Sequence, residues 1–242
     1  MRIRSILSCL SVLAVLTANT AGAIPLITNG NFESTTNGGN KQLSNTPTSA
    51  TNRTTLTGWT SSNGNDGGYN FVLDSKQITT SASALALRKY VSATDHGNVF
   101  ASDALWYPGV LSQSISGLVP GASYILSFDY AMGQQAGYEG ANLNNFWQVS
   151  FGNAKQDSAK LSIESGGFSG WQTSTMQFTA QRAEQVLTFL ALSNSPGAPP
   201  FMLLDNVDLR ASVPEPSSIS MMLGGVGLLG FMARRRKAKA QA

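Results

Sequence analysis

Ser123-Tyr124-Ile125-Leu126-Ser127-Phe128-Asp129-Tyr130-Ala131 decides the fold, because Tyr124, Leu126, Phe128 and Tyr130 fall on one face of an extended chain and Ser127 and Asp129 on the other. A period of two is what a strand with one buried face produces. Just before it, Leu118-Val119-Pro120-Gly121 reads as a turn, since proline presets φ at the second position and glycine tolerates the positive φ that follows. Working outward, further short alternations occupy Pro25 to Ile27 with Asn31 to Glu33, Tyr69 to Leu73, Ala84 to Tyr90, Val110 to Ile115, Phe146 to Phe151, Gln172 to Thr179, Gln185 to Ser193 and Phe201 to Arg210. Trp147 alternates with Val149 and Phe151 and belongs to a buried face. Many short strands joined by polar turns predict an all-β sandwich or barrel. Two segments break the rhythm. Ser34 to Thr57 is rich in Thr, Asn and Ser, and Ala131 to Asn145 carries several Gly, Gln and Asn residues, so both are expected as long surface loops.

The chain has 242 residues, 42% hydrophobic and 12% charged, which fits one globular domain and excludes both a multi-pass membrane protein and a disordered one. A single cysteine excludes a disulfide scaffold and multi-cysteine metal sites. The formal charge is +3, but seven of the sixteen basic residues are Arg2, Arg4, Arg234, Arg235, Arg236, Lys237 and Lys239, at the two ends. Between Ile24 and Ser212, nine basic residues face twelve acids, giving −3. Scattered cations on a weakly acidic domain cannot displace counterions from phosphates, so nucleic acid is not an expected partner.

The ends read as addresses. Arg2 and Arg4, the apolar run Ile6 to Leu16 and the small residues Ala21-Gly22-Ala23 form a secretory signal peptide over residues 1–23, with cleavage expected after Ala23. A lipoprotein signal is the rival reading, but Cys9 lies inside the apolar run, where a lipidated cysteine would have to follow it. Cleavage removes Cys9, so the mature domain, residues 24–212, has no thiol. Residues 213–242 open with Val213-Pro214-Glu215-Pro216. They continue without charge from Ser217 to Ala233 and close on the basic cluster from Arg234 to Lys239. The uncharged stretch of 17 residues is at the short limit for a helix crossing about 30 Å of hydrocarbon. The cluster would hold its end on the cytoplasmic side and leave the domain outside. A plain C-terminal anchor is the alternative, and it leaves the Pro-Glu-Pro unexplained.

This arrangement of VPEPSS, apolar segment and basic terminus resembles the PEP-CTERM sorting signal, also known as the ice-binding protein C-terminal motif. The resemblance implies recognition at Pro214, Glu215 and Pro216 by an exosortase, a transient inner-membrane anchor, and delivery to the cell surface or extracellular polysaccharide matrix. The middle of the chain carries a second resemblance. Leu26-Ile27-Thr28-Asn29-Gly30-Asn31-Phe32-Glu33, Gly58-Trp59, the LSQSISGLVPGASYILSFDYA stretch, Gly170-Trp171-Gln172 with Phe178-Thr179-Ala180, and Leu203-Leu204-Asp205-Asn206-Val207-Asp208-Leu209 are similar, in order, to the galactose-binding-like jelly rolls that include carbohydrate-binding modules. That likeness implies a single jelly-roll β-sandwich with Phe32 and Trp59 in its core. It also implies a structural Ca²⁺ with Glu33 and Asp205 as its acidic ligands.

For chemistry, His96 is the only histidine, and Gly167-Phe168-Ser169-Gly170 begins like a nucleophile elbow but has Trp171 where the last glycine belongs. His96 is therefore read as an ordinary loop residue and a zinc site is excluded. Two facing carboxylates would suffice for a glycosidase, and Asp95, Asp103, Asp129, Glu139 and Glu164 are available, but spacing alone does not pair them. Sugar binding needs aromatic faces and polar side chains. Tyr69, Trp106, Tyr107 and Tyr138 lie outside clear core patterns, and Trp106, Tyr107 and Tyr138 could rim a groove with Gln135 and Asn142. The expected function is non-catalytic binding or organisation of polysaccharide outside the cell. The alternatives are an adhesion or matrix protein with a protein partner, and a glycan-active hydrolase.

Overall fold

The computed structural model describes residues 25–92, 97–193, 197–212 and residue 225. Ala23, Asp95, His96, the Pro214-Glu215-Pro216 motif and nearly all of the uncharged segment lie outside the described residues. Thirteen strands run β1 (Lys41–Leu43), β2 (Arg53–Thr54), β3 (Thr60–Ser62), β4 (Asn70–Asp74), β5 (Asn98–Asp103), β6 (Val110–Ser116), β7 (Ser123–Gln134), β8 (Asn142–Phe151), β9 (Ala154–Asp157), β10 (Leu161–Ile163), β11 (Gln172–Thr179), β12 (Glu184–Ser193) and β13 (Pro200–Ala211). They form two sheets, one ordered β11-β7-β13-β5-β4-β1-β2 and the other β10-β8-β12-β6-β3 with β9 also on β8. Every pairing is antiparallel except β1 with β2. The expected all-β, two-sheet sandwich is what the chain forms.

The alternating strands explain the core. Tyr124, Leu126, Phe128 and Tyr130 of β7 all point between the sheets and are buried, as the period of two requires. They meet Trp147, Val149 and Phe151 of β8 and Leu187 and Phe189 of β12. Phe128 packs edge-on to Phe189 with ring centroids 5.2 Å apart, and Phe189 meets Trp147 at 6.2 Å. Offset and edge-to-face rings of this kind add to the area they bury. Phe32 and Trp59, at 5.7 Å, close one end of the same core as expected. The Trp59 indole donates to the Asn29 carbonyl (3.0 Å) and the Trp147 indole to the Leu203 carbonyl (3.0 Å), so neither ring buries an orphan N–H.

Four expectations about local structure change. Pro25 to Ile27 and Asn31 to Glu33 form turns and irregular chain rather than strands. The Asn29-Gly30 turn docks where β13 bulges between Asp205 and Asp208, with the Val207 N–H donating to the Gly30 carbonyl at 2.9 Å. A Cβ on Gly30 would sit 2.0 Å from the Val207 carbonyl oxygen. Gly30→Ala should therefore destabilise the domain by about 2 kcal/mol or more, an overpacking cost that backbone cannot relax away cheaply. Urea unfolding would read it as a lowered midpoint, and an unchanged midpoint would contradict this docking.

Ala84 to Tyr90 is not a strand. Its alternating Leu85 and Leu87 arise because this segment lies across the outer face of the seven-stranded sheet, packing with Ile78 and Tyr90 on Phe71, Leu73, Val99, Ala101, Ala131, Phe201 and Leu203. That second cluster makes β4, β5 and β13 apolar on both faces, which is why Phe71-Val72-Leu73 and Phe201-Met202-Leu203-Leu204 read as continuous runs. The expected long loop Ala131 to Asn145 is mostly strand, since β7 runs to Gln134 and β8 begins at Asn142, leaving a connection of residues 135–141. The polar stretch Ser34 to Thr57 likewise holds β1 and β2.

Candidate functional site

Four adjacent strands of the larger sheet, β7, β13, β5 and β4, all reach the same edge: β4 and β13 begin there, and β5 and β7 end there. The chain just beyond these ends encloses a cleft of about 370 Å³ lined by Tyr69, Asp103, Trp106, Gln135, Tyr138 and Pro199. Tyr69 precedes β4, Asp103 ends β5, Pro199 precedes β13, and Gln135 and Tyr138 lie in the β7–β8 connection.

Asp103 sets one wall. It is buried, with 1% exposure, and its Oδ1 accepts the backbone N–H groups of Leu105 (2.8 Å) and Trp106 (3.0 Å). The rest of that loop is tied equally well. The Ala104 N–H donates to the Pro200 carbonyl (3.1 Å), the Tyr69 N–H to the Tyr107 carbonyl (2.8 Å), and the Asn63 side chain to the Pro108 carbonyl (2.8 Å). Buried Asn70 donates to the Gly109 carbonyl at 2.9 Å. Close approach at the loop's base requires glycine at position 68, where φ is 77° and a Cβ would lie 2.6 Å from the Gly109 Cα. This hydrogen-bonded loop leaves Leu105, Trp106 and Tyr107 exposed, Trp106 most of all at 72%.

The opposite wall is built by a second network. Buried Gln134 accepts the Gly166 N–H through Oε1 and donates through Nε2 to the Tyr138 carbonyl at 2.9 Å. Arg88 donates to the same carbonyl (3.2 Å) and pairs with the Glu139 carboxylate at 2.5 Å. Ser165 donates to the other Glu139 oxygen at 2.6 Å. The Ser165 hydroxyl, then the Arg88 guanidinium, hold the Glu139 carboxyl below the usual carboxylate range. The β7–β8 connection is thus clamped, with the Tyr138 ring half exposed at its tip.

Between the walls, Tyr69 packs edge-on to Phe71 at 4.9 Å and the Gln135 side chain lies beside its hydroxyl. Burial raises the Tyr69 hydroxyl above its ordinary pKa. Burial also raises the Asp103 carboxyl above 3.8, against the two backbone N–H groups that lower it. A carboxyl raised on folding contributes stability that is present below pH 3.8 and lost as pH rises through its folded-state value. Asp103→Asn keeps the acceptor for Leu105 and Trp106 but does not titrate. The melting temperature of this variant minus that of the wild type should increase from pH 3.8 upward and then level off. A pH-independent difference would contradict the burial argument.

Of the residues expected from sequence, Trp106, Gln135 and Tyr138 converge on this cleft. Tyr107, with φ at 51°, does not line it, and its hydroxyl donates to the Asn63 carbonyl at 3.2 Å. Asn142 is corrected from rim to interior, because it is the first residue of β8 and fully buried, close under Gly197. Asp103 was legible only as one available carboxylate and Tyr69 as a stray aromatic, while Pro199 gave no signal.

Glu33 and Asp205 have local tasks. Glu33 accepts the Asn98 N–H at 2.6 Å, and buried Asp205 accepts the Asn206 N–H at 2.7 Å inside the β13 bulge. Among the described residues no group of three or more His, Cys, Asp or Glu side chains converges as a metal site. The two carboxylates would fit a calcium ion only with backbone carbonyl oxygens supplying most of the shell.

Residues 212–237 match the PEP-CTERM protein-sorting motif, which marks the chain as an exported protein sorted to the cell surface. Among the described residues no helix is long and apolar enough to cross a membrane. No curated protein sequence matches the chain. Among solved structures, it is similar to TmCBM61 in complex with β-1,4-galactotriose, with 14% identity over 78% of this chain and 100% of that one and a TM-score of 0.31. It is also similar to the N-terminal cellulose-binding domain of Cellulomonas fimi β-1,4-glucanase C (14% identity, 48% of this chain, 79% of that one, TM-score 0.28). A third is the arabinose-bound α-L-arabinofuranosidase MgGH51 (13% identity, 81% of this chain, 28% of that one, TM-score 0.44).

Proposed function

We propose that the exported domain binds polysaccharide through the cleft between Trp106 and Tyr138, and that it does so without cleaving it. The observation that carries this reading is an exposed Trp106 on a loop whose backbone is already hydrogen-bonded, facing a clamped connection that carries Tyr138. Aromatic faces can stack on the apolar face of a pyranose, and the Asp103 carboxylate and Gln135 amide can take its hydroxyls. Preorganised walls of this kind lower the ordering cost of binding. A glycosidase would need a second carboxylate across the sugar, and Asp103 is the one carboxylate among the described residues that line the cleft. Calorimetric titration of the purified, processed protein with soluble extracellular polysaccharides tests the reading. Absence of binding by all of them rejects it, and release of reducing sugar would convert it to an enzyme.

A second reading draws on the consecutive exposure of Leu105, Trp106 and Tyr107, a patch that would also suit a protein partner in an adhesive matrix. Sorting by an exosortase at Pro214, Glu215 and Pro216 belongs to this proposal, as does a structural calcium at Glu33 and Asp205. If that ion stabilises the native state, chelator should lower the melting temperature and Glu33→Gln should abolish the effect. A melting curve indifferent to chelator removes calcium from the account.

A further inference from the structure

We infer that the cleft selects uncharged sugars over acidic ones and that Asp103 is the residue that makes the distinction, an inference that rests on the polysaccharide reading of the same site. The described lining side chains are Tyr69, Asp103, Trp106, Gln135, Tyr138 and Pro199, which include one carboxylate and no cation. The cation on the neighbouring clamp, Arg88, is already matched: its guanidinium lies 2.5 Å from Glu139 and also donates to the Tyr138 carbonyl. Among the described residues that line the cleft, no cationic side chain is left to pair with an anionic ligand.

Asp103 is well placed to act as a filter. It is buried, so water does little to screen its charge, and one of its oxygens is spent on the N–H groups of Leu105 and Trp106. A carboxylate only accepts hydrogen bonds. A neutral sugar offers hydroxyl donors, and a hydrogen bond from a hydroxyl to an ionised acceptor is among the stronger kinds. A uronate or sulfate group brings acceptors and a like charge to the same place, and discrimination by an unpaired charge is how sites reject a wrong partner.

The test is calorimetric titration of the purified, processed protein with paired probes: β-1,4-galactan and cello-oligosaccharides, each against its C6-oxidised counterpart, and galactan against sulfated galactan. The expected result is that at least one neutral probe binds and its acidic counterpart binds tenfold or more weakly. Asp103→Asn should bring each pair within about threefold of one another. Because the new amide would keep a carbonyl acceptor for the loop, the variant should fold; should it not, the wild type supplies a second measurement. Sulfated galactan stays charged in mild acid, so its binding relative to neutral galactan should strengthen as pH falls and Asp103 protonates. Equal binding of a neutral probe and its acidic counterpart, or a gap that survives in Asp103→Asn, overturns the inference while leaving the polysaccharide reading intact. Failure of every probe to bind overturns both.

Discussion

Replacing Trp106 with alanine is expected to weaken polysaccharide binding roughly thirtyfold or more, about 2 kcal/mol, as removal of a central aromatic anchor commonly does. The melting temperature should hardly move. Trp106 contributes little to the core because most of its surface is open to solvent, and the hydrogen bonds that hold its loop involve backbone atoms. Tyr138→Ala should have a similar effect, since Gln134 and Arg88 grip the Tyr138 carbonyl and leave the ring free for ligand. Tyr107→Phe is the internal control: it removes a hydroxyl bonded to the Asn63 carbonyl, outside the cleft, and should leave affinity within a factor of about two, a small change for an exposed hydrogen bond. Titration calorimetry reads all three. Wild-type affinity in Trp106→Ala would move the binding surface elsewhere, and a large loss in Tyr107→Phe would mean that the whole Leu105 to Tyr107 patch, not the cleft, makes the contact.

The uneven legibility of this molecule has physical causes. β7 was plain because one of its faces meets the core and the other is largely polar, so its sequence alternates. Ala84 to Tyr90 imitates that pattern by laying two leucines on a sheet from outside, and alternation records which side is buried, not whether the chain pairs with a neighbour. The opposite failure is Asn142 to Asn145, where polar residues suggested a loop but the chain pairs with β10 and two of the asparagines, Asn142 and Asn145, are buried. In the site, Gln135 and Tyr138 stand out because they sit in a Gly- and Asn-rich connection, and Trp106 because it ends a polar segment with no core pattern to serve. Their convergence with Tyr69, Asp103 and Pro199 follows from the strand order β7-β13-β5-β4, which places segments more than sixty residues apart at one edge. No local pattern records that order.

Strand β13 links the cleft to the sorting motif, and this leads to an all-or-none expectation. Pro199 lines the cleft and Ala211 ends the strand, immediately before the motif that begins at residue 212. Twelve residues of strand at about 3.3 Å each put the two up to roughly 40 Å apart, at opposite poles of the sandwich. Pro25, Leu26 and Val119 gather around Ala211 at the attachment pole. A domain held by its C-terminus should therefore present the cleft away from the membrane. If the motif is cleaved as proposed, Glu215→Ala should block processing, because proline disfavours a helical backbone before it and the glutamate is the group an enzyme groove would recognise. The retained protein would stay tethered by its uncharged segment. The chain's one cysteine is Cys9, so once the expected signal peptide is removed an introduced cysteine would be unique. On spheroplasts carrying the Glu215→Ala form, a bulky polyethylene-glycol maleimide should modify Trp106→Cys fully and Val119→Cys at least tenfold more slowly, although both positions are largely exposed in the domain. In detergent extract the two rates should converge. Equal rates on the tethered protein would refute the presentation. A wild-type surface protein whose mass still ends at Ala242 would show that the tail serves as a plain anchor and that no sorting cleavage occurs.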